Sequence, residues 1–281
     1  MNLYSTAEAA KKTSRHYQHL RLLARVVALG LGLIGVIASP ENAVLLFTLA
    51  FIIEVVALYL KASGRKYFDI YRTCRRASMV EDAFGVCTNH HVFVAMTLGW
   101  EGPTNHQDTA LNTRTYYTSP HGPGQRRLRD NLRESVFFST FLFQKARNSL
   151  ALKTFVAAMV ALTVFALLPW MAVRGFIATG HVLILNQFVL LTMTFLVAVD
   201  LVEDCVGFHL GFSRCAVLLA ALNKPESSEG EALWVMFADY AVWTNGTPPV
   251  PDRLYAKYAS LVAEHWKQEL LGPKADENEG G

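Results

Sequence analysis

The sequence predicts an all-α membrane protein. Four transmembrane helices form two hairpins, and a central insert with the C-terminal tail makes a mostly helical cytoplasmic domain. Three observations predict this. Four apolar runs, Leu22–Ala38, Ala43–Leu60, Phe155–Val173 and Val182–Leu201, are each 17 to 20 residues long, and a helix rising about 1.5 Å per residue needs roughly 20 to cross the hydrocarbon core. The runs fall in two pairs on either side of a polar, basic insert, residues 61–153. Hydrophobic residues make up 52% of the 281, and mean hydropathy is +0.24, which fits a membrane protein with a modest soluble part.

Charge placement sets the expected orientation. Of the 26 Lys and Arg residues, five lie at or before the start of the first run, fourteen in the insert and six beyond the fourth run; Arg174 alone lies between paired runs. Basic segments stay on the cytoplasmic side during insertion. Both termini and the insert are therefore expected in the cytoplasm, with only the short loops Ser39–Asn42 and Arg174–His181 outside. No cleavable leader is expected before the first run, which should act as its own targeting signal.

Taken in order, residues 1–21 read as an interfacial helix whose Lys11, Lys12, Arg15 and Arg21 meet anionic lipid headgroups. Residues 22–60 form the first hairpin. Arg25 sits near its start, where a long stem can snorkel outward. Ala24, Ala28 and Gly32 recur every four residues, followed by Gly35 and Ser39, a spacing that lets helices approach closely and reads here as packing within the hairpin. Ser39-Pro40-Glu41-Asn42 makes the turn. Glu54 is the one acid deep in an apolar run, seven residues before Lys61 and so roughly 10 Å inside the boundary. A carboxylate there faces a pore or polar seam, or makes a structural hydrogen bond within the bundle.

Residues 61–153 carry fourteen basic and seven acidic side chains, whereas the chain from Glu203 onward carries six basic and twelve acidic ones. Opposite charge on the same side of a membrane predicts that insert and tail pack together. Within the insert, Gly64–Phe84 reads as a helix, His91–Leu98 as a strand or buried turn, Gly99–Gly124 as a loop, and Gln125–Asn148 as a helix feeding the third run. Residues 154–202 form the second hairpin, with Pro169 and Trp170 at its outer end. In its last run Asn186 and Asp200 lie fourteen residues apart, on nearly one helical face. The tail, residues 203–271, continues helical through Asn223, resumes over Glu231–Trp243, breaks at Thr247-Pro-Pro-Val-Pro251, and ends in a helix from Asp252 to about Leu271. Residues 272–281 read as disordered.

The chemistry-bearing motifs are few. The sequence holds no Walker loop, GxSxG, HExxH or GxGxxG, so no catalytic residues and no cofactor are assigned. Cys74, Cys87, His90 and His91 follow an irregular C-x12-C-x2-H-H spacing that does not suit a structural zinc site, and no metal is expected. The four cysteines lack CxxC spacing and lie on the reducing side, so free thiols are expected. Arg126, Arg127, Arg129 and Arg133 follow Tyr116-Tyr117, and Arg75 and Arg76 lie nearby in pattern. Guanidinium groups hold phosphates and a ring stacks on a base, so these eight residues are the candidate nucleotide-ligand set. The same arginines equally suit anionic lipid or the acidic tail. A DNA or RNA polymer is not expected as a partner.

Several stretches together carry a family likeness: Arg76–Phe84, Leu98-Gly99-Trp100, Tyr116-Tyr117, Arg126-Arg127-Leu128, Asn131, Glu134–Ser139, and Pro249–Tyr255 before a helix containing Trp266. In this order, around two hairpins, they resemble the SMODS-associating four-transmembrane effector family. The likeness covers most of the chain, although Leu98-Gly99-Trp100-Glu101 and Arg114-Thr115-Tyr116-Tyr117 depart from the forms such proteins often show. The resemblance implies a non-enzymatic effector of bacterial anti-phage defence in the inner membrane. A cyclic oligonucleotide made on infection would activate a homo-oligomer to permeabilise the membrane and arrest or kill the cell. The alternative is a constitutive membrane scaffold that docks a protein partner through its cytoplasmic domain. On the effector reading Glu54, Asn186 and Asp200 line the intramembrane polar path.

Overall fold

A computed structural model of the chain describes residues 3–38, 40–85, 117–173, 181–224 and 230–271. Six α-helices occupy them: α1 Leu3–Ile37, α2 Pro40–Phe84, α3 Gln125–Val173, α4 His181–Leu222, α5 Glu231–Asn245 and α6 Asp252–Leu271. No strand occurs among the described residues. Three stretches, Thr6–Gly35, Glu41–Phe84 and Val197–Leu222, are helical, long and apolar enough to cross a membrane. The last overlaps the expected run Val182–Leu201 at its C-terminal end. Phe155–Val173 lies within α3, where Phe155, Val156, Met159, Val160 and Leu162 are exposed. Most other side chains of the third and fourth expected runs lie outside the described residues, Asn186 among them. So do Cys87, His90, His91, Tyr116, Arg174, the expected strand or turn at 91–98, and residues 272–281.

The described chain divides into two compact units. The first holds residues 3–38, 40–74, 150–173 and 181–205; the second holds 75–85, 117–149, 206–224 and 230–271.

In the first unit α1 and α2 lie side by side with opposite direction. Gly35 meets Phe47, Ala28 is buried with Ala50, Arg25 meets Glu54, Ser14 meets Gly64 and Tyr17 stacks on Tyr67. As α1 descends, its partner on α2 ascends. The small residues do what their spacing predicts. A Cβ added at Gly35 would come within 2.8 Å of the Phe47 ring. One expectation is corrected: residues 1–21 are not a helix separate from the first run. α1 runs unbroken from Leu3 to Ile37, because Ala7, Ala10 and Ser14 form a buried small-residue face and the Ser14 hydroxyl donates to the Gly64 carbonyl at 2.8 Å. α2 opens on Pro40, whose missing N–H costs nothing in a first turn.

The outward faces of this unit are apolar. Leu22, Leu23, Val26 and Leu33 on α1 and Leu45, Ile52, Val55 and Tyr59 on α2 are all exposed large hydrophobic side chains, while Glu54 and Asp200 are buried. That arrangement inverts the pattern of a soluble protein. Bilayer hydrocarbon, unlike water, accepts such a surface at no cost.

The second unit is built around a buried apolar core. Leu128, Leu132 and Val136 of α3 are buried, as are Leu218 and Leu222 of α4, Leu233 of α5, and Val262 and Trp266 of α6. α2 stops at Gly85, whose φ of 66° is the left-handed conformation that closes a helix, and its N–H donates to the Glu81 carbonyl at 2.8 Å. The proline-rich break between α5 and α6 packs tightly on α4. A Cβ at Gly211 would stand 2.6 Å from Thr247 Oγ1, so only glycine permits this approach.

Candidate functional site

Within the first unit the sequence places ionisable residues at helical spacing on three helices. Arg21 and Arg25 are one turn apart on α1. Glu54, Lys61 and Arg65 share a face of α2, and Asp200, Glu203 and Asp204 fall within one turn of α4. The fold brings all eight together. Arg25 bridges two helices, with one guanidinium nitrogen 3.3 Å from Glu54 Oε1 and another on Asp200. Asp200 is the hub, contacted also by Arg21 and by Lys61. Lys61 reaches Glu203 at 2.6 Å, and Arg65 reaches Glu203 at 2.7 Å and Asp204 at 3.7 Å. Four cations thus face four anions.

Burial is uneven along this cluster, and that matters. Glu54 and Asp200 keep 3% and 5% of their surface, while the Arg65 and Glu203 side chains keep 44% and 48%. The network is dry at Glu54 and wet at Glu203. A buried ion pair is weak evidence of net stability, because desolvation offsets most of its attraction. It is strong evidence of constraint, since each buried charge must keep its partner. Arg25 is also a correction. Its side chain is only 12% exposed and turned to Glu54 and Asp200, because two carboxylates inside the bundle attract it more than a headgroup outside.

The candidate ligand residues lie in the second unit, apart from Tyr116, which is outside the described residues. Arg127 makes a two-pronged pair with Asp82, both contacts 2.9 Å, and Asn131 Nδ2 donates to the same carboxylate at 2.8 Å. The Asp82 hydrogen bond holds the Arg127 pKa above its ordinary value. Arg129 donates to the Leu222 carbonyl at 3.0 Å, and Arg76 to the Ala241 carbonyl at 2.7 Å. Arg133 pairs with Glu269 at 3.0 Å and lies over the Trp266 ring at 5.6 Å. Tyr117 is buried beside Ser135 and Arg75, and burial pushes its pKa up. Arg126 is exposed and has no partner among the described residues. The guanidinium groups of Arg76, Arg127, Arg129 and Arg133 thus each meet a different group of the fold.

Those ties join the former insert to the tail around one polar chain. Trp266 Nε1 donates to Thr118 Oγ1 at 3.0 Å, and Thr118 donates to Glu134 through its hydroxyl at 2.9 Å and its backbone N–H at 3.1 Å. Glu134 is buried, and desolvation raises its pKa despite those donors. The folded unit therefore favours the neutral carboxyl. Its contribution is full below the ordinary carboxylate range and is lost as the pH rises through the raised folded value. Glu134→Gln, neutral at every pH, should remove that slope. Thermal unfolding between about pH 4 and 7 should show the wild type losing stability relative to the variant as pH rises.

Sequence reading singled out Glu54 and Asp200 but missed their counter-ions. The i, i+4 pair Arg21 and Arg25, and the i, i+7 and i+11 positions of Lys61 and Arg65 after Glu54, were the available signal. Cys74, Cys205 and Cys215 are free thiols, and no group of three possible metal ligands occurs among the described residues. No family model, no curated protein and no solved structure matches this chain.

Proposed function

We propose that this protein is a non-enzymatic membrane effector held closed by its buried charge cluster. The observation that carries the reading is Arg25 joining Glu54 of α2 to Asp200 of α4, inside helices whose outer faces are apolar. A charged seam inside a membrane bundle is costly, and such residues characteristically mark ion paths or switchable contacts. In this reading the four expected spans form two hairpins in a bacterial inner membrane with both termini cytoplasmic. The second unit receives a signal, and the hairpins of a homo-oligomer separate along the seam so that Glu54 and Asp200 meet water. The trigger is a cyclic oligonucleotide, as the sequence resemblance implies. It need favour the open assembly by only a few kcal/mol. Arg126, exposed at the start of α3, is the arginine of the set best placed to meet a phosphate without breaking an internal tie.

The test is dye release from liposomes holding the purified protein, as a panel of cyclic oligonucleotides is added. Release with one cyclic ligand and not with its linear form supports the effector. Tight liposomes with every ligand, from folded and correctly oriented protein, reject it.

One observation favours the second reading, a constitutive scaffold docking a protein. Trp234, Val235 and Val242 leave an apolar stripe exposed on α5, the kind of patch that marks protein contact.

A further inference from the structure

We propose that α2 carries a binding site for the phosphate of an anionic lipid headgroup, in an open groove of about 470 Å³ lined by Leu58, Lys61, Ala62, Arg65, Lys66 and Asp69. The inference rests on the helices crossing a membrane and is independent of what the protein does there.

The exposure pattern of α2 locates the boundary of the hydrocarbon. Exposed large apolar side chains occur from Val44 to Tyr59 and then cease for the rest of the helix. The groove begins in that last apolar turn, at Leu58, which is 41% exposed. Within the next two turns it presents Lys61, Arg65 and Lys66. Its lining therefore changes from apolar to cationic over about 10 Å of helix, the distance over which a phospholipid changes from acyl chain to phosphate.

The three cations are not equivalent. Lys61 is mostly buried and turned to Asp200 and Glu203. Arg65 meets Glu203 and Asp204 through one guanidinium nitrogen, and its side chain is 44% exposed. Lys66 is exposed and has no partner among the described residues. A phosphate between Arg65 and Lys66 gains a planar fork from one and a compact charge from the other. Asp69, paired with Arg72 at 4.0 Å, closes the far end and repels an anion placed deeper in the cytoplasm. The site so defined sits at the depth of a headgroup phosphate.

The experiment uses the full chain taken from vesicles of mixed phosphatidylcholine and phosphatidylglycerol, with retained lipid read by native mass spectrometry. Phosphatidylglycerol should be retained in preference to phosphatidylcholine. Lys66→Gln, which disturbs no internal pair, should lower that retention about fivefold. Arg253→Gln, an equal charge change on α6, should leave it unchanged. Inorganic phosphate in large excess should not displace the lipid. Equal retention of the two lipids, or no effect of Lys66→Gln, overturns the site. Displacement by inorganic phosphate overturns the lipid as its source and assigns the groove to a free anion.

Discussion

Replacing Arg25 by Met is expected to destabilise the first unit by about 3–5 kcal/mol, the usual cost of removing one partner from a buried charge pair. Arg25 contacts both Glu54 and Asp200, and neither carboxylate has water to turn to: they retain 3% and 5% exposure. Asp200 keeps Arg21 and Lys61 after the change, whereas Glu54 keeps no basic partner among the described ion pairs. Most of the loss should therefore trace to Glu54. Adding Glu54→Gln to Arg25→Met removes the stranded charge and should recover a large part of it. Thermal unfolding of the four proteins in nanodiscs measures both effects. Additive losses would mean that the pair does not couple.

Trp266→Ala is expected to cost the second unit a similar amount, about 3–5 kcal/mol. Trp266 is 2% exposed, lies 5.4 Å from the Phe137 ring, and donates to Thr118. Truncation leaves a cavity under α6 and takes from Thr118 the donor that aims it at Glu134. Arg133, which lies over the indole, loses that contact as well. Hydrogen exchange should show α6 and the start of α3 losing protection together. Exchange confined to α6 would show that the polar chain does not link them.

How much of this was legible in the residues depended on range. The helices were legible because they obey local rules. The end of α2 at Phe84 and the Thr247-Pro-Pro-Val-Pro251 break between α5 and α6 fall where the pattern placed them, whereas Pro40, read as part of a turn, opens α2. Glu54 was legible as an anomaly, since an acid in an apolar run stands out without any partner in view. Its partner was not. Arg25 lies 29 residues away and Asp200 a further 146 beyond Glu54, and nothing in hydropathy pairs residues at such separations. The same blindness affected the arginines of 126–133. Charge and spacing give Arg127 and Arg126 equal standing as phosphate ligands, yet Arg127 is held by Asp82 and Arg126 faces outward. Only the fold separates a structural guanidinium from an available one. The unbroken α1 was missed for a related reason. Its basic residues suggest a surface helix, while its small residues Ala7, Ala10 and Ser14, easily overlooked beside them, form the buried face.

The most direct measurement is ligand-free dye release from liposomes holding Glu54→Gln beside those holding the wild type. The substitution keeps the size of the side chain and removes the anion through which Arg25 of α1 holds α2. If the buried cluster holds the bundle closed, the variant should leak faster than the wild type with no ligand present. Liposomes that stay as tight as the wild type, with the variant folded and inserted, would contradict a closing role for the seam.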